Sequence, residues 1–367
     1  MGTRLWALII KELLNILRDP KSRTVLIAPP VIQIFLFSFA MTMEAKNVSL
    51  GILDLDAGRE GYALVQRFRR SETFTRIVFL KSQTDAGPML DAQEVVAVLV
   101  VPLDFSRRLA AGSPAPIQLL LDGRKTNTAQ IVGGYAQRIV DGFLADRQGR
   151  AADRPVDLLV RHWFNPNLEF MWFTVPSLIC ILSTVISLIL TSLSVARERE
   201  MGTFEQLLVS PLQPFEILLG KALPALFLAL CSASLLLGIA IFVFRIPFQG
   251  SLLLLYGALT VFLTAIVGIG LFISSLCMTQ QQAILGAFVF MPPAVILSGF
   301  ATPIENMPPW LQDVTLVNPL RWFMIIVRGV FLKAMPAADV LANTLPMAAI
   351  ALVTLAAAGW LFKRRME

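Results

Sequence analysis

The sequence predicts an α-helical integral membrane protein with six transmembrane helices, an N-terminal interfacial helix and an inserted α/β domain. Three observations lead there. Hydrophobic residues make up 56% of the 367 and charged residues only 15%, which leaves room for little beyond a membrane body and a modest folded domain. Residues 170–196 and 222–244 contain no charged side chain over 27 and 23 positions, and about 20 apolar residues cross the hydrocarbon as a helix. Residues 44–165, by contrast, mix charges, glycines and short β-branched runs, the composition of a water-exposed domain of ordinary size.

Residues 3–17 place Leu5, Leu8, Ile9, Leu13, Ile16 and Leu17 on one helical face and Arg4, Lys11, Glu12 and Asn15 elsewhere, so residues 1–23 form a helix in the interface. Residues 24–43 are the first span, which Pro29 and Pro30 should kink or break. Arg4, Lys11, Arg18, Lys21 and Arg23 before it place the N-terminus in the cytoplasm, which puts the domain at 44–165 outside. In that domain 48–54, 76–80, 95–101 and 117–122 read as strands, with helices near 60–70, 88–94, 105–111 and 127–147. This alternation favours a sheet covered by helices.

Residues 166–367 carry the other five spans, at 170–196, 222–244, 251–276, 282–298 and 340–362. Lys363, Arg364 and Arg365 return the C-terminus to the cytoplasm. Counted over short segments, the inner side holds eleven Lys and Arg and the outer side four, namely Arg245, Arg321, Arg328 and Lys333. The asymmetry supports the topology, although the group from Arg321 to Lys333 fits it less well.

Several classes of chemistry are disfavoured. The net charge of +6 gathers beside spans rather than on one face, so no nucleic-acid partner is expected. Cys180, Cys231 and Cys277 fall in or beside apolar spans and offer neither a disulfide framework nor a metal cluster. His162 is the lone histidine and suits a structural role. Asp54 with Asp56, and Asp85 with Asp91, read as solvated loop carboxylates. No Asp, Glu, Lys, Arg or His lies inside the six spans as drawn, which opposes an ion-coupled pump. The one Gly-Lys pair, Gly220-Lys221, has Phe215 and Ala222 where a phosphate loop needs glycine and Ser or Thr. This chain is therefore not expected to be an enzyme or to bind a cofactor. The sparse, mostly hydroxylic groups of the spans suit an amphipathic cargo better than an ion.

The interval 197–221 joins the second and third spans. Within it Thr203 and Gln206 have capping-box spacing, Phe204, Leu207 and Leu208 share one helical face, and Ser210-Pro211 ends the helix. The run Glu198, Glu200, Gly202, Thr203, Glu205, Leu207, Leu208, Ser210, Pro211 resembles the cytoplasmic loop of ABC-2 type transporter permeases. A second match, "TPIENMPPWLQ" followed by "NPLRWF" and "VRGVF", lies in 299–339 and contains Pro303, Pro308, Pro309, Asn318, Pro319 and Arg321. The domain at 44–165 resembles the one that a subgroup of these exporters inserts after the first span.

The resemblance implies a short coupling helix at 204–209 that docks on a separate ATPase, with Glu198, Glu200 and Glu205 pairing with its basic residues. It implies re-entrant helices between spans five and six that close the outer end of the pathway. It also implies a half-transporter in a bacterial inner membrane, paired with a second, identical or different, permease subunit and two ABC ATPase subunits that hold ATP and Mg. Such a complex exports drug-like or lipid-like molecules, and this subgroup implies a periplasmic adaptor protein. The alternatives are an assembly or sensor component acting through the outer domain, and an ion-coupled secondary transporter.

Overall fold

The structure is a computed structural model that describes residues 2–18, 20–40, 48–56, 58–122, 126–147, 165, 169–203 and 213–364. Contacts divide the chain into Met1–Met41 with His162–Glu367, and Thr42–Arg161. Two helices open the first unit, α1 (Gly2–Arg18) and α2 (Pro20–Ala40). The α1 face holding Leu5, Leu8, Ile9 and Leu13 turns inward, but Leu17 is exposed. The pair Pro29 and Pro30 does not break α2, which runs through both as one 21-residue helix. Its described apolar part is Leu26–Ala40.

The second unit is a four-stranded sheet of order β2-β1-β3-β4, with β1 (Ser49–Asp54), β2 (Arg76–Phe79), β3 (Ala97–Val101) and β4 (Gln118–Leu121). β1 runs parallel to β2 and β3, while β4 is antiparallel to β3. Helices α3 (Arg59–Arg70), α4 (Ala86–Asp91), α5 (Phe105–Ala110) and α6 (Thr126–Arg147) accompany it. Along β3 the side chains alternate between two cores. Ala97, Leu99 and Val101 join Leu64, Phe68, Val132 and Phe143 from α3 and α6, whereas Val98 and Val100 join Leu53, Leu80 and Ala86. A strand buried on both faces needs the unbroken apolar run that these residues supply.

At the carboxyl ends of β1 and β3, Asp56 is not a free loop carboxylate. Its Oδ1 accepts from the Ser106 amide at 2.9 Å, and its Oδ2 from the Gly58 amide at 3.2 Å and from the Ser106 hydroxyl. A Cβ on Gly58 would stand 2.4 Å from Ser106 Oγ, so only glycine allows this approach.

The first unit continues with α7 (Phe170–Glu200), α8 (Pro214–Gly238, extended by a π turn to Val243), α9 (Leu252–Leu276), α10 (Gln280–Ile296), α11 (Pro309–Val314), α12 (Pro319–Lys333) and α13 (Ala337–Arg364). Four helices are long and apolar enough to cross a membrane, namely α7, α8 with its π turn, α9 and α13. α10 has 17 residues, or about 26 Å against a hydrocarbon core of about 30 Å. The first and fifth expected spans are thus the short ones. Helices α11 and α12 meet at 84°.

Glycines on α9 let its neighbours close in. A Cβ on Gly270 would lie 1.8 Å from Thr191 Oγ1 of α7, and one on Gly268 would lie 2.4 Å from Thr354 Oγ1 of α13. In lipid, where apolar burial gives helices no reason to associate, such close backbone approach supplies the packing. On another side of α9, the Phe262 ring stacks at 4.4 Å on Phe323 of α12.

Partial desolvation of Asp56 opposes ionisation, but donors from Ser106, Gly58 and Gly61 outweigh it and hold the carboxyl below its ordinary range. A folded-state pKa below the unfolded one adds stability that is present above the unfolded pKa and lost as pH falls through the folded pKa. Replacing Ser106→Ala should raise the Asp56 pKa and cost about 1 kcal/mol at neutral pH. Urea midpoints of the sheet unit at pH 7 and in acid check this, since the deficit should shrink once Asp56 is protonated.

Candidate functional site

The last turn of α7 is where the charges of the helical unit converge. The apolar run of the second span ends at Ala196, yet the helix continues through Arg197, Glu198, Arg199 and Glu200. These four residues are therefore helix rather than loop, and the interhelical segment shortens to 201–213. Gly202 adopts φ +70°. Its N–H bonds the Arg199 carbonyl at 3.2 Å, and the Thr203 N–H reaches back to the Glu198 carbonyl at 3.0 Å. The two bonds form a Schellman stop, which favours glycine at the left-handed position. Thr203 was expected to open the following helix; here its hydroxyl donates to the Glu198 carbonyl at 3.3 Å.

Successive side chains of a helix point about 100° apart, and the turn divides accordingly. Arg199 donates to the carbonyls of Ser275 at 2.9 Å and Cys277 at 3.2 Å, where α9 ends. Arg197 Nε donates to Gln280 Oε1 at 3.3 Å. Glu200 Oε2 accepts the Gln280 N–H at 2.7 Å, placing a carboxylate on the amino end of α10. Glu198 points the other way, into a dry cluster. Lys221 Nζ lies 2.8 Å from Glu198 Oε2 and 3.5 Å from Glu12 Oε1 of α1, and donates to the Ser194 carbonyl at 3.3 Å. The Lys221 side chain is 1% exposed. Lys11, mostly in the open, stands 3.7 Å from Glu198. One residue earlier, a Cβ on Gly220 would come within 2.3 Å of Leu8, so the glycine is what lets α1 lie against α8.

Two sequence expectations change here. Glu198 was expected to meet a partner's basic residue, but its carboxylate is taken inside the chain because Lys221 sits in α8 rather than in a loop. Helical extension likewise carries Glu198 and Lys221 into the bundle as charged residues that the apolar windows excluded. Glu200 remains exposed while capping α10. Phe204, Glu205, Leu207, Leu208, Ser210 and Pro211 lie outside the described residues.

The second cluster is the bend. Pro303 opens a 3-10 turn at Ile304–Asn306, Pro308 precedes α11 and Pro309 is its first residue. Asn318 caps α12, accepting the Leu320 N–H at 3.1 Å, and Pro319 begins it. The Asn318 amide also donates at 2.7 Å to the Ala294 carbonyl, which the end of α10 leaves open because Ser298 N–H bonds Val295 instead. Arg321 Nη1 donates to the Gln312 carbonyl at 3.2 Å and to the Thr315 hydroxyl, and its guanidinium lies over the Trp322 ring. Asn318 and Arg321 therefore hold the bend, one from each side.

Sequence reasoning missed Glu12, Ser194, Lys221 and Gln280. The usable signal was Glu12, a carboxylate adjoining the apolar stripe of α1 one turn after Leu8.

These features define a multi-pass helical membrane protein: a bundle packed through glycines, a charged node and a bent helix pair. The chain belongs to the ABC-2 family of transporter proteins, whose family description, "ABC-2 family transporter protein", matches residues 22–360. It is 47% identical over 368 residues to the probable multidrug ABC transporter permease YbhR of Escherichia coli K12, covering all of both chains. It is 32% identical over 381 residues to the probable multidrug ABC transporter permease YbhS of the same strain, with 99% of this chain and 98% of that one covered. The inner membrane transport permease YhhJ is 30% identical over 330 residues, 88% of this chain and 87% of the other.

Removing one partner of a buried ion group leaves the others uncompensated, which costs about 3–5 kcal/mol. Lys221→Met should therefore lower the melting temperature of the detergent-solubilised protein markedly. Adding Glu198→Gln and Glu12→Gln should restore part of the loss, and a triple-variant melting curve checks the sign.

Proposed function

We propose that the chain is the permease half of an ATP-driven exporter that moves amphipathic, drug-like or lipid-like molecules out of the cytoplasm or inner leaflet. It works with a second permease subunit and two ABC ATPases that hold ATP and Mg. The observation that carries this reading is how the helices ending and starting at Glu200 and Pro214 are tied: α7 is clamped to α9 and α10, and α8 is bolted through Lys221 to α1 and α7. A push on the segment between Glu200 and Pro214 reaches every one of these helices. The names of the relatives YbhR and YbhS, multidrug ABC transporter permeases, support the cargo class.

In this reading the spans are α2, α7, α8, α9, α10 and α13, with both termini in the cytoplasm of a bacterium and the chain in its inner membrane. The bent pair α11–α12 closes the outer end, and the sheet unit stands outside, where a periplasmic adaptor would meet it. ATP binding draws the ATPase pair together, residues 204–209 act as the lever, and α7 and α8 turn as rigid rods. The buried ion group keeps α1 moving with them.

Capture of an ATPase subunit from host membranes by the tagged full-length chain tests this. Wild type should retain the ATPase through crosslinking, while Phe204→Asp and Leu207→Asp should lose at least about 90% of it without changing the melting temperature, since a charge forced into an apolar contact costs several kcal/mol. Capture that the two variants leave intact would remove the lever from residues 204–209.

A further inference from the structure

Arg328 is a half-buried cation of the helical unit that neither the ion node nor the bend uses. It lies on α12, two turns beyond Arg321 on the same helical face as the exposed Ile325. Its Nε donates to Ser177 Oγ of α7 at 2.8 Å, and the Ser177 hydroxyl donates to the Phe173 carbonyl at 2.6 Å. Its guanidinium carbon sits 3.8 Å from the centre of the Phe173 ring. Nη2 is buried with no hydrogen-bond partner, and among the described residues no carboxylate pairs with this cation.

A buried guanidinium normally recovers its lost hydration from a carboxylate or from carbonyls. Arg321 does so with the Gln312 carbonyl and the Thr315 hydroxyl. Arg328 has one neutral hydroxyl and an aromatic face, which orient the fork without neutralising it. The hydroxyl of Thr174, one turn from Ser177 on α7, is fully buried and also unpartnered. An arginine held flat on a ring with donors left over is the arrangement that recognises planar or tetrahedral oxyanions.

We propose that Arg328, set by Ser177 and Phe173, is a binding site for the anionic head of an amphiphile: a carboxylate, sulfonate or phosphate ester on an apolar body. Phe173, Phe300 stacked on it at 6.4 Å, and Ile325 provide the apolar contact. If the chain exports as proposed above, the cargo is an anionic amphiphile, but the site itself stands without that reading.

The test uses full-length protein in neutral maltoside micelles and two dyes with the same aromatic body. One is the sulfonate 1-anilinonaphthalene-8-sulfonate and the other the uncharged N-phenyl-1-naphthylamine, both read by energy transfer from tryptophan. Arg328→Gln should weaken sulfonate binding at least about tenfold, the range of one charge-assisted hydrogen bond, and leave the uncharged dye unchanged. Arg328→Lys, which keeps the charge but loses the planar fork, should fall between wild type and Arg328→Gln in its sulfonate preference. Equal losses for both dyes, or no loss in a variant that melts like wild type, would overturn the proposal.

Should the glutamine variant not fold, wild type still decides. Octyl phosphate should displace the sulfonate dye at concentrations where octanol does not, and equal displacement counts against the site. Sulfonate binding that vanishes in phosphatidylcholine nanodiscs once phosphatidylglycerol is added identifies the ligand as a lipid headgroup; binding that survives identifies a soluble amphiphile. Either result upholds the anion site. None of these readouts involves an ATPase, so failure here and failure of ATPase capture are separate results.

Discussion

The dry ammonium of Lys221 constrains the structure more than any other single group. At 1% exposure it faces Glu198 and Glu12, and leaving such a buried ion group short of a partner costs about 3–5 kcal/mol, a large share of a fold's total stability. Since the three residues come from α8, α7 and α1, the pairing fixes where α1 lies, and Gly220 clears the space for Leu8 beside it. Salt in the surrounding water weakens surface pairs but acts little on a group buried this deeply.

α7 is the element through which distant parts of the unit are joined. It contributes Ser177 to the Arg328 cluster and Glu198 to the ion node, 21 residues or about 32 Å apart along an unbroken helix. Along that length it meets α9 through Gly270 and Thr191, and its final turn grips the α9–α10 junction through Arg197, Arg199 and Glu200. A close backbone contact cannot slide far without a clash, so α7 and α9 move together.

Apolar length made the long helices legible, and alternation did the same for the sheet. β1 to β4 fall within a residue or two of the runs read at 48–54, 76–80, 95–101 and 117–122; the central β1 and β3 are the clearest, because a strand buried on both faces has to be written in consecutive apolar residues. What composition hid were the places where a charge belongs to a helix. A window that ends a span at the first ionisable residue stops at Ala196 and starts again at Ala222, and so discards Glu198 and Lys221. Their real roles depend on α1 folding back onto α8, which no local pattern encodes. Pro29 and Pro30 misled in the opposite sense: proline weakens a helix locally, but α2 continues through both.

Hydrogen exchange on the full-length protein, comparing wild type with Lys221→Met, tests most directly whether the buried ion group holds α1 against the bundle. The account predicts that the amides of α1 around Lys11 to Leu14 lose protection at least about tenfold, while α9 and α13, packed through Gly268 and Thr354, exchange as before. Unchanged protection of α1 would show that Leu8 and its apolar neighbours suffice, and the ion group would then be a passenger.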